Sequence, residues 1–197
     1  MPPKTMIETL AWTCSIWFAR VGGALIVLIA VLVSGDVVAR NLINQTVFNS
    51  FEISIYLFGA AVTFGFAHTA LTGAHIRIDV IYRLFPVAVR RVLDSLALLN
   101  LAALAMFFAF HAWSLALDNL GRGVMSNSAL AVPLYIPQMA WALGLTAFTL
   151  SAILLTVQHG MLLSRRAFDE ADRIAGLSSA AEEAGSEVAE ASGQGRG

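Results

Sequence analysis

The run VGGALIVLIAVLVSGDVVA, Val21 to Ala39, decides how the rest of the chain is read. Its one ionisable residue is Asp36, near its end. At about 1.5 Å per helical residue it reaches across the ~30 Å hydrocarbon core of a bilayer. A strand is excluded by length and pattern. Membrane barrels use segments of about ten residues of alternating polarity, whereas this run is apolar all round.

Three more runs have the same character. ISIYLFGAAVTFGFAHTAL covers Ile53–Leu71 and LALLNLAALAMFFAFHAWSLAL covers Leu96–Leu117. The last begins near Pro137 and continues through MAWALGLTAFTLSAILLTV. The expected fold is therefore an all-α integral membrane protein with four transmembrane helices, about 21–39, 53–71, 96–117 and 137–159. Composition agrees. The chain is 58% hydrophobic and 13% charged, against about 25% charged in a soluble domain, and its mean hydropathy is +0.75. A net charge of -1 points away from nucleic acid as a partner. The single cysteine, Cys14, cannot form an intrachain disulfide and reads as a small apolar filler. No A-x-A site follows the first run, so residues 1–20 read as a cytoplasmic or interfacial lead-in to a retained anchor, not a cleaved signal.

Assigning the connections to alternate sides sorts the basic residues. Lys4, Arg20, Arg77, Arg83, Arg90, Arg91, Arg165, Arg166, Arg173 and Arg196 fall on one side, and only Arg40 and Arg122 on the other. Basic residues accumulate in cytoplasmic loops, so both termini and the second connection are expected in the cytoplasm. That connection, GFAHTALTGAHIRIDVIYRLFP (Gly65–Pro86), also has a shape. Ile81, Leu84, Phe85, Ala88, Val89 and Val92 recur at helical spacing, and Asp79/Arg83 and Arg90/Asp94 are each four apart. An interfacial amphipathic segment is expected here, bending near Pro86 into a helix that enters the third span. Beyond the fourth span, RRAFDEADRIAG could prolong the helix. The rest of residues 165–197 is Ala, Gly, Ser and Glu, and reads as a largely disordered acidic cytoplasmic tail.

The polar residues inside or beside the spans are the candidates for function. Asp36 and Arg40 are four apart at the end of the first span, placed for a local ion pair or a contact to another subunit. Glu52 opens the second span, where a carboxylate complements exposed helix N–H groups and Asn49 or Ser50 supplies the cap; a partner contact is the other reading. Asn100 lies at lipid depth and is expected to hydrogen-bond between helices. Ala102, Ala105, Ala109, Ala112 and Ala116 share one face of the third span, a surface for close packing within the chain or against a partner. Of the four histidines only His68 and His159 match in depth. They give a membrane anchor with histidine-ligated haem as the alternative reading. No nucleophile-and-base arrangement, phosphate loop, metal spacing or inverted repeat is present, so the chain reads as an accessory subunit that is not an enzyme and needs no cofactor.

DVVARN at the end of the first span, Glu52, GAHIRIDVIYRLFP, RRVLDSL and SNSALAVPLYIPQMAWALG, in this order, resemble the small membrane subunit of tripartite ATP-independent periplasmic (TRAP) transporters, the DctQ-type small permease. The resemblance covers about Arg20 to Ser164, and the His-Ile-x-x-Asp stretch followed by Leu-x-Pro is its most specific part. A basic residue that often precedes this stretch in the family is missing from TALTG. The resemblance implies a bacterial inner-membrane subunit that scaffolds a large membrane subunit. With a periplasmic solute-binding protein, the two import an organic acid, such as a C4-dicarboxylate, on a sodium gradient. It also implies that His75, Arg77 and Asp79 hold an interfacial connection and touch lipid or the large subunit, not solute.

Overall fold

The apolar runs become four helices in the computed structural model, which describes residues 6–43, 49–72, 85–128, 130–168, 171 and 174. These are α1 (Met6–Ile43), α2 (Ser50–Thr72), α3 (Val87–Arg122) and α4 (Tyr135–Ser164). Each is long and apolar enough to cross a membrane. The expected amphipathic segment before Phe85, with His75, Arg77 and Asp79, and the acidic tail lie outside the described residues.

α1 starts at Met6, so the helix that carries the first span also takes in the lead-in before Val21. Glu8, Thr9, Ser15 and Arg20 lower the hydropathy of this stretch without breaking its helical register. Partly or fully buried positions recur every three or four residues along α1, from Trp12 through Ser15, Ala19, Gly22, Leu25, Ile29 and Leu32 to Asp36. α4 stops at Ser164 instead of extending through RRAFDEADRIAG. Arg166 takes a left-handed φ of 57°. The N–H of Arg166 reaches Leu163 O (3.1 Å) and that of Ala167 reaches Leu162 O (3.0 Å), a Schellman ending. α3 ends in the same way on Gly123 (φ 62°), whose successor Val124 donates to Asn119 O at 3.1 Å. At the start of α2, Asn49 O accepts from Glu52 N (3.1 Å) and Ile53 N (3.2 Å), so Asn49 stands at the cap position. Pro137 falls in the first turn of α4, where its missing N–H costs nothing.

Two compact units divide the chain. In the first, residues 1–74 and 102–152, α1 packs along α2. A Cβ on Gly22 would stand 2.7 Å from Ala61 O, and the Phe18 and Phe64 rings meet edge to face at 5.0 Å. α2 meets α4 as closely: a Cβ on Gly144 would lie 2.8 Å from the backbone carbon of Thr63. Ala102, Ala105, Ala109 and Ala116 of α3 are buried and Ala112 is half-buried. The alanine stripe is thus spent inside the chain and is not a surface for an outside partner. Lipid tails are as apolar as side chains, so helices in a bilayer are held by close packing and hydrogen bonds. A core built almost wholly of alanine brings the backbones near enough for both. Cys14 points outward and fills no core.

The second unit comprises residues 75–101 and 153–197. Here Thr156 Oγ1 donates to Leu98 O (3.1 Å), tying the ends of α4 and α3. Past the Arg166 reversal the chain returns: the Arg91 guanidinium sits 4.1 Å over the Phe168 ring, and Ala171 is fully buried.

Candidate functional site

The first unit gathers its polar side chains where α1 ends and α2 begins. Asp36 is 1% exposed. Its Oδ2 accepts from Arg40 Nη2 (2.8 Å) and from Ser50 Oγ (2.9 Å). Arg40 reaches it because residues four apart share a helix face, and Ser50 reaches it from the first turn of α2. The carboxylate therefore fastens α1 to α2.

Glu52 is the third residue of α2. Its Oε1 accepts three hydroxyls: Tyr56 one turn along (2.9 Å), Ser126 (2.8 Å) and Ser128 (2.5 Å). The two serines belong to the α3–α4 connection, which is shaped for the purpose. Ser126 N donates to Val132 O (2.8 Å), Leu134 N donates to Val124 O (3.1 Å), and Met125 and Pro133 form an antiparallel bridge. Val132 N also donates to Ser126 Oγ (3.3 Å), leaving that hydroxyl's own proton for Glu52. At the base of the connection Asn119 Nδ2 donates to Gln138 Oε1 (2.9 Å). A carboxylate makes this node because an ionised oxygen takes several donors at once and forms stronger bonds than a neutral acceptor. Glu52→Gln brings a new donor against three existing ones. It should reduce assembled, active complex several-fold, whereas Glu182→Gln should leave it at the wild-type level; equal activity of the two variants would reduce Glu52 to end-of-helix electrostatics.

The other candidates lie apart from this node. Asn100 is exposed on α3 and makes no hydrogen bond among the described residues, so the interhelical bond expected of it is not made there. The structure explains this by turn: the buried face of α3 belongs to the alanines, and Asn100 is on another side. His68 stands 3.4 Å from Ser15 Oγ through Nδ1, with its ring 5.6 Å from that of Trp12. His159 in the second unit is 2% exposed and uses both nitrogens, Nε2 to Ser95 Oγ (3.2 Å) and Nδ1 to Ala171 O (3.2 Å). A carbonyl only accepts, so Nδ1 carries the proton. Both histidines are thus engaged in holding helices.

Sequence reasoning reached Glu52 and Asp36 but not their partners Ser126, Ser128 and Ser50. The one available signal was three hydroxyl residues in or beside turn-rich connections; nothing in their spacing singled out a carboxylate 74 residues earlier.

A family model described as "Tripartite ATP-independent periplasmic transporters, DctQ component" matches residues 29–159. That range includes Asp36, Arg40, Glu52, Ser126 and Ser128. No curated protein and no solved structure matches the chain.

Proposed function

The chain belongs to the DctQ component family of tripartite ATP-independent periplasmic transporters, and from that premise we propose that it is the small permease that scaffolds the large membrane subunit in sodium-dependent, binding-protein-dependent uptake of an organic acid such as a C4-dicarboxylate. It sits in the bacterial inner membrane with both termini cytoplasmic, among lipids, beside the large subunit and within reach of the periplasmic solute-binding protein. Solute and sodium are handled by the other components.

The observation that carries this reading is the Glu52 node. Its Oε1 is taken up by three hydroxyls of its own chain. A side chain used in this way fixes a loop and holds a shape, as a scaffold must. Asp36, spent on Arg40 and Ser50, supports the same view. The alternative of a haem anchor draws no support from the histidines: His159 directs Nδ1 to Ala171 O and Nε2 to Ser95 Oγ, and His68 meets Ser15 Oγ.

The test is recovery of partner and orientation. Purified through a tag on this chain, the large subunit should come with it in a one-to-one complex; its absence would sink the proposal. For orientation, Thr46→Cys and Thr72→Cys, each in a Cys14→Ser background, should differ toward an impermeant thiol reagent in cells with a permeabilised outer membrane. Position 46 should label and position 72 should not, as the ten-to-two division of basic residues requires. The reverse pattern would invert the topology.

A further inference from the structure

Away from its alanine face, α3 carries His111 and Ser114 on an exposed side. They are one helical turn apart, and His111 lies about 9 Å inside the Leu117 end of its apolar run. The imidazole is collared by Phe107 at 4.3 Å and Phe110 at 5.5 Å, rings that are themselves 56% and 69% exposed. Neither His111 nor Ser114 has a hydrogen-bond partner among the described residues. Other hydroxyls in these spans turn back onto their own helix, as Thr69 does to Gly65 O (3.0 Å), Thr149 to Leu145 O (2.8 Å) and Ser151 to Ala147 O (2.9 Å). Ser114 makes no such bond. Lipid tails offer neither donor nor acceptor, so an exposed imidazole and hydroxyl at this depth are costly unless another protein satisfies them. Neither side chain is long enough to reach the headgroups.

We propose that the His111–Ser114 face of α3 docks the large membrane subunit, receiving a transmembrane helix that presents a hydroxyl, an amide or an open backbone carbonyl opposite His111. This rests on the accessory-subunit reading above and adds the face to it. A second copy of the chain fits the face poorly. Like helices associate closely through small residues, and the small residues of α3 are already spent inside. The outward side is ringed by Phe107, Phe108 and Phe110, which would hold two copies apart but seat well in a groove between helices of a larger protein.

The experiment uses the whole chain co-expressed with the large subunit. With p-benzoylphenylalanine in place of Phe110, irradiation of membranes should cross-link the chain to the large subunit. His111→Leu, compared at equal amounts in the membrane, should lower recovery of the large subunit about threefold or more. His111→Gln, which keeps a hydrogen-bonding group, should restore most of it. A cross-link to a second copy, or to lipid alone while the large subunit still co-purifies, overturns this face and leaves the accessory role standing. Undiminished recovery with His111→Leu does the same. Failure of the wild-type chain to bring down the large subunit overturns both.

Discussion

Proteoliposomes holding the large membrane subunit and its periplasmic binding protein, but lacking this chain, should take up organic acid at close to the background rate. The chain alone should give no sodium-driven uptake, and all three together should restore it. The expectation follows from where the polar groups go. Asp36 and Glu52 are used in fastening α1 to α2 and the α3–α4 connection to α2, so the chain has rigidity to lend. On the proposed scaffold role, a large subunit deprived of that neighbour should lose both a hydrogen-bonding surface and its fixed seat in the bilayer, while the binding protein should keep its solute affinity. Uptake rates with and without the chain, and solute titration of the binding protein, check the two halves. Full uptake in its absence would remove the scaffold role and keep the family; sodium-coupled uptake by the chain alone would overturn the accessory reading.

The second large effect comes from one hydrogen atom. Gly144→Ala places a methyl group 2.5 Å from Thr63 Oγ1 and 2.8 Å from its backbone carbon. In an open helix Gly→Ala gains up to about 1 kcal/mol from propensity. At Gly144 the neighbour is helix backbone, which cannot step aside, so overpacking of about 1–3 kcal/mol wins or the helices separate. Gly160, in the same helix with nothing within 4 Å, provides the opposite sign. Thermal unfolding in detergent should show Gly144→Ala clearly destabilised and Gly160→Ala neutral or slightly stabilised. Equal midpoints would mean that α2 and α4 do not approach as described.

These two sites also mark how far the residues could be read unaided. Number and identity of the spans were legible because hydropathy is a property of each segment alone. The alanine stripe was legible as a packing face because its three-and-four spacing is local, but the direction it faces depends on other helices, and the structure turns it inward. Gly144 carried no sequence signal: a glycine among apolar residues looks the same whether a backbone lies against it or not. The partners of Glu52 failed for the same reason, since Ser126 and Ser128 are joined to it only after the α3–α4 connection closes. The reach of the α1 helix back to Met6 was not legible, because hydropathy falls at Glu8, Thr9 and Arg20 although the helical repeat of buried positions continues through them. The reversal at Arg166 was hidden because a left-handed C-cap is usually announced by glycine, and here an arginine takes it.

The length of α1 has a consequence for the bilayer itself. Its 38 residues make a rod of about 57 Å, against a hydrocarbon core of about 30 Å. The surplus is not a polar stalk, since Ile7, Leu10 and Trp17 are all exposed in it. An unbroken helix with such a surface must lean, or draw its first turns along the headgroup boundary, or thicken the lipid around it. Each response costs a fraction of a kcal/mol per Å of mismatch. Acyl-chain length therefore enters the energetics of this subunit directly, and membranes of different thickness will set its tilt, and with it the angle at which α2 is presented to a neighbour.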